Sequence, residues 1–192
     1  APPTPTEEPA QEPKDRFEDL SSVPWAQEAI YVLQERGIIN GRTEKEFDPL
    51  SAVAREEFVK LLVSVFGTVP SGVCSFTDAK EGAWYQPYLA AAVSEEIVHG
   101  KDDGSFGIGQ EITREDAAVL IARAMERHAF DFSAETSYAD EAETSLYAKQ
   151  ALRRLHAAGI FSGDENGVMN PKRSMTRAEA AKIIYKMLEL IS

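Results

Sequence analysis

The sequence predicts an all-α protein built from three helix–loop–helix repeats. Three observations carry that prediction. An arginine-bearing motif recurs as VAREEFVKLL at 53–62, ITREDAAVLI at 112–121 and MTRAEAAKII at 175–184. A glycine stands 14 residues before each of these arginines, as Gly41, Gly100 and Gly163. An aromatic stands 16 residues before each glycine, as Trp25, Trp84 and Tyr147. Agreement at several fixed offsets means triplication, and a repeat of this length constrains the fold before any other feature is weighed.

Each copy follows the same order of elements. An entry segment opens with an aromatic two residues before an aspartate: Phe17 and Asp19, Phe76 and Asp78, Tyr138 and Asp140. The third copy holds one extra residue between Asp140 and Tyr147, so the repeat period is 59 and then 62 or 63 residues. A first helix follows, with apolar residues at helical spacing: Ala26, Ala29, Ile30 and Leu33, then Tyr85, Tyr88, Leu89 and Ala92, then Ala148, Ala151, Leu152 and Leu155. Gly37 and Gly159 suit the left-handed residue that closes such a helix. The second copy has Glu96 there, which predicts a different ending. A loop rich in glycine and aspartate leads to an apolar anchor (Phe47, Phe106 or Met169). The second helix then starts at the arginine motif. Its buried stripe reads Phe58, Leu61, Leu62, Val65 and Phe66 in copy one, and Ala180, Ile183, Ile184, Met187 and Leu188 in copy three. A two-helix unit with so narrow a stripe cannot bury it alone, so the copies must pack on one another. Periodicity leaves open whether they stack in a line or close into a ring.

Composition excludes several function classes. The chain of 192 residues has a formal net charge of −12, against the basic patch that nucleic-acid binders carry. No apolar run approaches the length of a membrane span. Cys74 is the single cysteine, so no disulfide framework or thiolate metal cluster is expected. His99, His128 and His156 have no zinc-site spacing. The loops KDDGSFG and GDENGVM lack the ligand alternation of an EF-hand. The opening APPTPTEEPAQEP has neither the basic region nor the apolar run of a signal peptide, and residues 1–15 read as a Pro/Glu-rich linker.

The arginine motif poses a chemical question. Thr176 with Glu179, and Thr113 with Asp116, form capping pairs at a helix start. In copy one Ala54 takes the cap position, which leaves Ser51 or a neighbour to cap. Capping does not account for Arg55, Arg114 and Arg177, each in a first turn whose dipole disfavours a cation. One reading pairs each arginine with a nearby acid on the surface. The sharper reading joins its planar donor fork to the free backbone amides of the helix start, which makes an anion receptor. The loop glycine permits close backbone approach, the aromatic offers a flat face, and Asp19, Asp78 and Asp140 offer hydroxyl acceptors. Together these suit an acidic carbohydrate. Plainer readings of the same residues remain: the aromatics as core, the aspartates as helix or turn caps, the glycines as turn residues.

The combination of F-x-D, an aromatic, RGIING, EEIVHG or AGIFSG, and TRAE over residues 17–190 resembles the S-layer homology (SLH) domain triplet. The resemblance implies a pseudo-threefold trimer of repeats, shaped like a three-pronged spindle around a central helix bundle. It implies residues 16–70, 71–132 and 133–192 as repeats 1, 2 and 3. It further implies a non-catalytic module, without cofactor or metal. Its inter-repeat grooves bind a pyruvylated secondary cell-wall polysaccharide, through a pyruvylated N-acetylmannosamine whose carboxylate is an anion. The implied setting is the bacterial cell wall or S-layer, with the module itself monomeric and part of a larger exported protein. By position, the carbohydrate-binding residues are Asp19, Trp25, Gly41 and Arg55, Asp78, Trp84, Gly100 and Arg114, and Asp140, Tyr147, Gly163 and Arg177. Lys60 and Lys182 stand ready to reinforce the anion site, where copy two has Val119. The copies depart from one another enough that fewer than three equivalent sites are expected, with Arg114 and Arg177 favoured. A protein–protein adaptor of helical repeats and a peptidoglycan-binding module are the rival readings. A glycan hydrolase would need a carboxylate pair across one sugar, whereas the repeats present one Asp each.

Overall fold

The computed structural model describes residues 17–191, so the linker expected over residues 1–15 lies outside the described residues. Among the described residues there are six α-helices and no β-strand. They are α1 (Gln27–Glu35), α2 (Arg55–Val65), α3 (Gln86–Ser94), α4 (Arg114–Arg127), α5 (Leu146–Ala157) and α6 (Arg177–Ile191). Short 3₁₀ turns precede α1 and α5.

The first helices end alike in all three repeats. The second residue after each carries a positive φ: 69° at Gly37, 59° at Glu96 and 71° at Gly159. The next amide then reaches back over the last turn, from Ile38 to Leu33, Ile97 to Ala92 and Ile160 to Leu155, at 2.9, 2.9 and 3.0 Å. The different ending expected in repeat 2 is therefore corrected. Glu96 takes up the glycine's left-handed conformation because Ile97 and Val98 must still turn into the core, where both are buried. The backbone strain is of order 1–2 kcal/mol for a residue with a Cβ.

The second helices start at the motif arginine. Thr176 and Glu179 make a reciprocal capping box: the Thr176 amide donates to Glu179 Oε2 at 2.9 Å and the Glu179 amide to Thr176 Oγ1 at 3.2 Å. Thr113 Oγ1 accepts from the Asp116 amide at 3.2 Å. Repeat 1 keeps half the box, with Glu57 Oε2 accepting the Ala54 amide at 3.3 Å. No N-cap side chain bonds the start of α2, where Ser51 or a neighbour was expected to, and the Ser51 carbonyl instead accepts the Arg177 amide of repeat 3 at 2.9 Å.

The repeats interlock rather than fold as separate hairpins. α1 packs on α6, α3 on α2 and α5 on α4, so each first helix lies chiefly against the second helix of the preceding repeat. The pairing of α1 with α6 joins the first repeat to the last. A ring of backbone hydrogen bonds closes the same circle. Val53 N–H donates to Met175 O at 2.9 Å, Met175 N–H to Ile112 O at 2.9 Å, and Ile112 N–H to Val53 O at 3.1 Å. These three side chains are buried, as are the anchors Phe47, Phe106 and Met169. One contiguous hydrophobic core runs through all three repeats, which is how stripes too narrow to be stable alone leave water.

Candidate functional site

Three grooves lie between the repeats, and each is assembled from all three of them. We number each groove by the repeat that supplies its aromatic. Groove 1 joins Trp25 of repeat 1, Arg114 of repeat 2, and Gly163 and Lys182 of repeat 3. Groove 2 joins Trp84, Arg177, and Gly41 and Lys60. Groove 3 joins Tyr147, Arg55, and Gly100 and Val119. The residues that stand together in one copy of the sequence are thus distributed over three different grooves.

The aromatics are not core. Trp25, Trp84 and Tyr147 are 50%, 51% and 61% exposed at equivalent places. Three large exposed rings at matched positions are an unusual surface, because a buried environment is the default for such side chains. Lys60 Nζ sits 5.9 Å from the Trp84 ring centroid.

The arginines do two jobs. Their burial, 5% exposure for Arg114 and 7% for Arg177, shows that they are not solvated surface residues. Arg114 Nε donates to Met169 O at 2.7 Å and Nη2 to Ser162 O at 3.0 Å. Arg177 Nε donates to Phe47 O at 3.0 Å and Nη2 to Asn40 O at 2.9 Å. Arg55 Nε reaches Phe106 O at 3.2 Å. Each guanidinium therefore clamps the anchor of the next repeat, and those of Arg55 and Arg177 also lie over the anchor ring itself. This answers why a cation opposes the helix dipole: its head group leaves the dipole to bridge two repeats. Burial pushes the Arg114 and Arg177 guanidinium groups below their ordinary value, yet from so high a start that both stay charged. The remaining nitrogen, Nη1, meets a groove-lining acid: Glu179 at 3.2 Å, Glu57 at 3.9 Å or Asp116 at 2.6 Å. Burial works to raise the Glu179 carboxyl, but Arg173, the Thr176 amide and Arg114 outweigh it and hold the group below the usual range.

The aspartates stand apart from the grooves. Asp19 accepts the amides of Phe47 and Asp48 at 3.0 and 2.7 Å. Asp78 accepts those of Phe106, Gly107 and Ile108 at 2.9, 2.8 and 2.7 Å. Asp140 accepts those of Met169 and Asn170, both at 2.7 Å. Each carboxylate braces the anchor loop of its own repeat. It is engaged by backbone amides rather than held open for a hydroxyl.

The glycines are set by close approach, not by a left-handed turn. A Cβ on Gly41 would lie 2.4 Å from a ring carbon of Phe17, and one on Gly100 2.8 Å from Phe76. On Gly163 it would meet the Gly167 backbone at 2.7 Å. The loop closes tightly at this point and forms one wall of each groove.

Charge is the feature the sequence concealed. Groove 1 is lined by Arg114, Arg173, Lys182 and Lys186 against Asp164 and Glu179. Groove 2 has Arg42, Lys60 and Arg177 against Glu57. Groove 3 has Arg55, Lys101 and Arg123 against Asp116. Each carries an excess of two positive charges in a chain of net charge −12. Arg42 and Lys101 directly follow the loop glycine, and Arg123 and Lys186 stand nine residues after the motif arginine. That recurrence in two repeats out of three was the available signal. The cavities differ in size, at about 330, 250 and 150 Å³ for grooves 1, 2 and 3.

Comparison with known proteins places this architecture. The S-layer homology domain family matches the chain three times, over residues 16–59, 75–118 and 137–181. An amylopullulanase of Thermoanaerobacterium thermosulfurigenes is 33% identical over 171 residues, which cover 86% of this chain and 9% of that protein. An exoglucanase XynX of Acetivibrio thermocellus is 32% identical over 169 residues, covering 86% of this chain and 16% of that protein. A surface-layer 125 kDa protein of Lysinibacillus sphaericus is 29% identical over 168 residues, covering 86% and 14%. The chain thus spans a small fraction of the length of these relatives. The three matches, one to each repeat of the closed ring, show that the chain belongs to the S-layer homology domain family.

Proposed function

We propose that the chain is a non-catalytic anchoring module that holds an exported protein on a bacterial cell wall by binding an acidic wall polysaccharide in its grooves. The observation that carries this reading is the pairing, in every groove, of a half-exposed aromatic with a local cationic excess on an acidic protein. The aromatic supplies a flat apolar face for a sugar ring. The cations supply attraction for a carboxylate, and the acidic remainder of the surface does not cancel it, because screening limits charges to about 8–10 Å. A pyruvylated N-acetylmannosamine, with a ring to stack and a ketal carboxylate to pair, fits both halves. Arg114 and Arg177 contribute Nη1 and the positive field, and Lys60 and Lys182 contribute mobile donors. Several modest sites on one module gain strength together on a repeating polymer. The relatives named as surface-layer protein, amylopullulanase and exoglucanase support a shared tethering part on otherwise different proteins.

The test is calorimetric titration with a pyruvylated N-acetylmannosamine saccharide and with the same saccharide lacking pyruvate. Binding that requires the pyruvate and weakens with added salt is expected. Equal binding of the two would sink the carboxylate reading and favour a neutral wall glycan.

A further inference from the structure

Grooves 1 and 2 share an arrangement that groove 3 lacks. In groove 1 the acid facing the motif arginine is shared with a second cation: Glu179 pairs with Arg173 at 2.5 Å and accepts a longer bond from Arg114 Nη1 at 3.2 Å. In groove 2 Glu57 pairs with Arg42 at 2.6 Å and lies 3.9 Å from Arg177. In groove 3 the residue corresponding to Arg42 is Lys101, whose Nζ is taken up by Gln110 Oε1 at 2.6 Å. Asp116 is left to Arg55, which it meets at 2.6 Å.

The aromatic then fixes that acid in place. Tyr147 Oη donates to Asp116 Oδ1 at 2.7 Å, with Glu115 Oε1 at 3.1 Å. A tryptophan, as in the other grooves, has no hydroxyl for this bond. Glu115 is itself buried and held by the Ser145 amide at 3.0 Å and by Lys172 at 2.6 Å. The ring that elsewhere stands at the groove mouth is here tethered across it, from repeat 3 to repeat 2. The cavity is the smallest of the three, at about 150 Å³.

From this geometry we infer that groove 3 carries its own carboxylate ligand. Asp116, positioned by Tyr147, engages Arg55 at the place where an external carboxylate would pair, so the chain presents two open grooves and one locked groove. Asp116 and Tyr147 are then the specificity-determining residues that distinguish the grooves. The inference rests on the glycan reading for what the open grooves bind, but the lock itself is a property of the unliganded protein and can be read separately.

Two measurements test it. The first follows the Arg55 side-chain N–H signals by ¹⁵N NMR without any ligand, in the wild-type chain and in Tyr147→Phe. Slow guanidinium exchange at Arg55 in the wild type, lost in Tyr147→Phe with the melting curve retained, is expected. Equal exchange in both overturns the lock whatever the chain binds. The second is titration with the pyruvylated saccharide. The wild type is expected to bind two equivalents, with the Trp25 and Trp84 indole signals moving and Arg55 unmoved. The double variant Asp116→Asn, Tyr147→Phe is expected to gain a third event that moves Arg55. Three events in the wild type, or two in both proteins, overturn the inference. Binding of no saccharide by either protein defeats the glycan reading and leaves the NMR comparison to decide the lock.

Discussion

The closed ring at the centre of the molecule and the grooves at its rim use the same repeat in opposite ways. At the ring the three copies agree closely: Val53, Ile112 and Met175 exchange the same backbone bonds, and Asp19, Asp78 and Asp140 each brace the first two amides of the anchor loop, Asp78 taking a third. At the rim they disagree. Lys60, Val119 and Lys182 share one position, and Arg42, Lys101 and Asp164 share another. Sequence agreement between repeats therefore reports chiefly how the repeats hold one another. The departures report what each groove offers a ligand. The motif arginine bridges the two regions, clamping the ring with Nε and facing the rim with Nη1.

The largest effect is expected from removing an arginine that belongs to both regions. Arg114→Leu leaves Glu179, Met169 O and Ser162 O without their buried donor. Loss of about 3–5 kcal/mol of unfolding free energy is expected in urea titration. An unchanged midpoint would mean that the arginine serves the rim alone. Asp78→Ala acts only on the ring. It strips three loop amides of their acceptor and should cost roughly 2–3 kcal/mol, with repeat 2 losing amide-exchange protection first.

Acid should loosen the same contacts. The carboxyls of Glu179, Glu115 and Asp78 are all held below their ordinary values by bonds that outweigh burial. Groups depressed in the folded state contribute stability that is present above their unfolded values, near 4.5 for Glu and 3.8 for Asp, and lost as pH falls through the folded ones. The melting temperature is thus expected to hold at neutral pH and to drop as pH is lowered below about 4.5. A flat profile down to pH 3 would mean that these groups do not contribute to stability.

A rim change should do the reverse. Trp84→Ala removes a half-exposed ring, so stability should stay within about 0.5 kcal/mol. Saccharide affinity at groove 2 should fall about tenfold, or about 1.4 kcal/mol. A large stability loss would return Trp84 to the core. The smallest expected effect is a gain. Glu96→Gly relieves a left-handed residue on an exposed turn and should add about 1 kcal/mol, since Gly accepts that conformation freely. No gain would mean that the turn is less strained than its φ of 59° implies.

Much of this was legible in the sequence because it depends on local spacing. The helix starts follow from the motif arginine and, in repeats 2 and 3, from the Thr113–Asp116 and Thr176–Glu179 pairs. The stripes follow from the 3.6-residue period, and the anchors Phe47, Phe106 and Met169 from their fixed place before the motif. Glu96 misled, since its side chain gives no sign that tertiary packing of Ile97 and Val98 would impose a glycine's conformation. The aspartates left two readings open. A carboxylate two residues after an aromatic offers itself equally to a hydroxyl or to an amide, and only the return of the chain 28 residues later supplies the amides.

By itself the sequence determined the triplication, the two helices of each repeat and the residue types that carry charge and flat surface. Those are set by propensity and by offsets within about sixty residues of chain. The tertiary structure alone decided that the repeats close rather than stack, through α1 on α6 and the Val53–Met175–Ile112 ring. It also decided that every groove takes its aromatic, its arginine and its glycine from three different repeats. The physical reason is that an apolar stripe specifies that it must be covered, not by which neighbour. Only when the last stripe meets the first is the choice made, and with it which charges face one another.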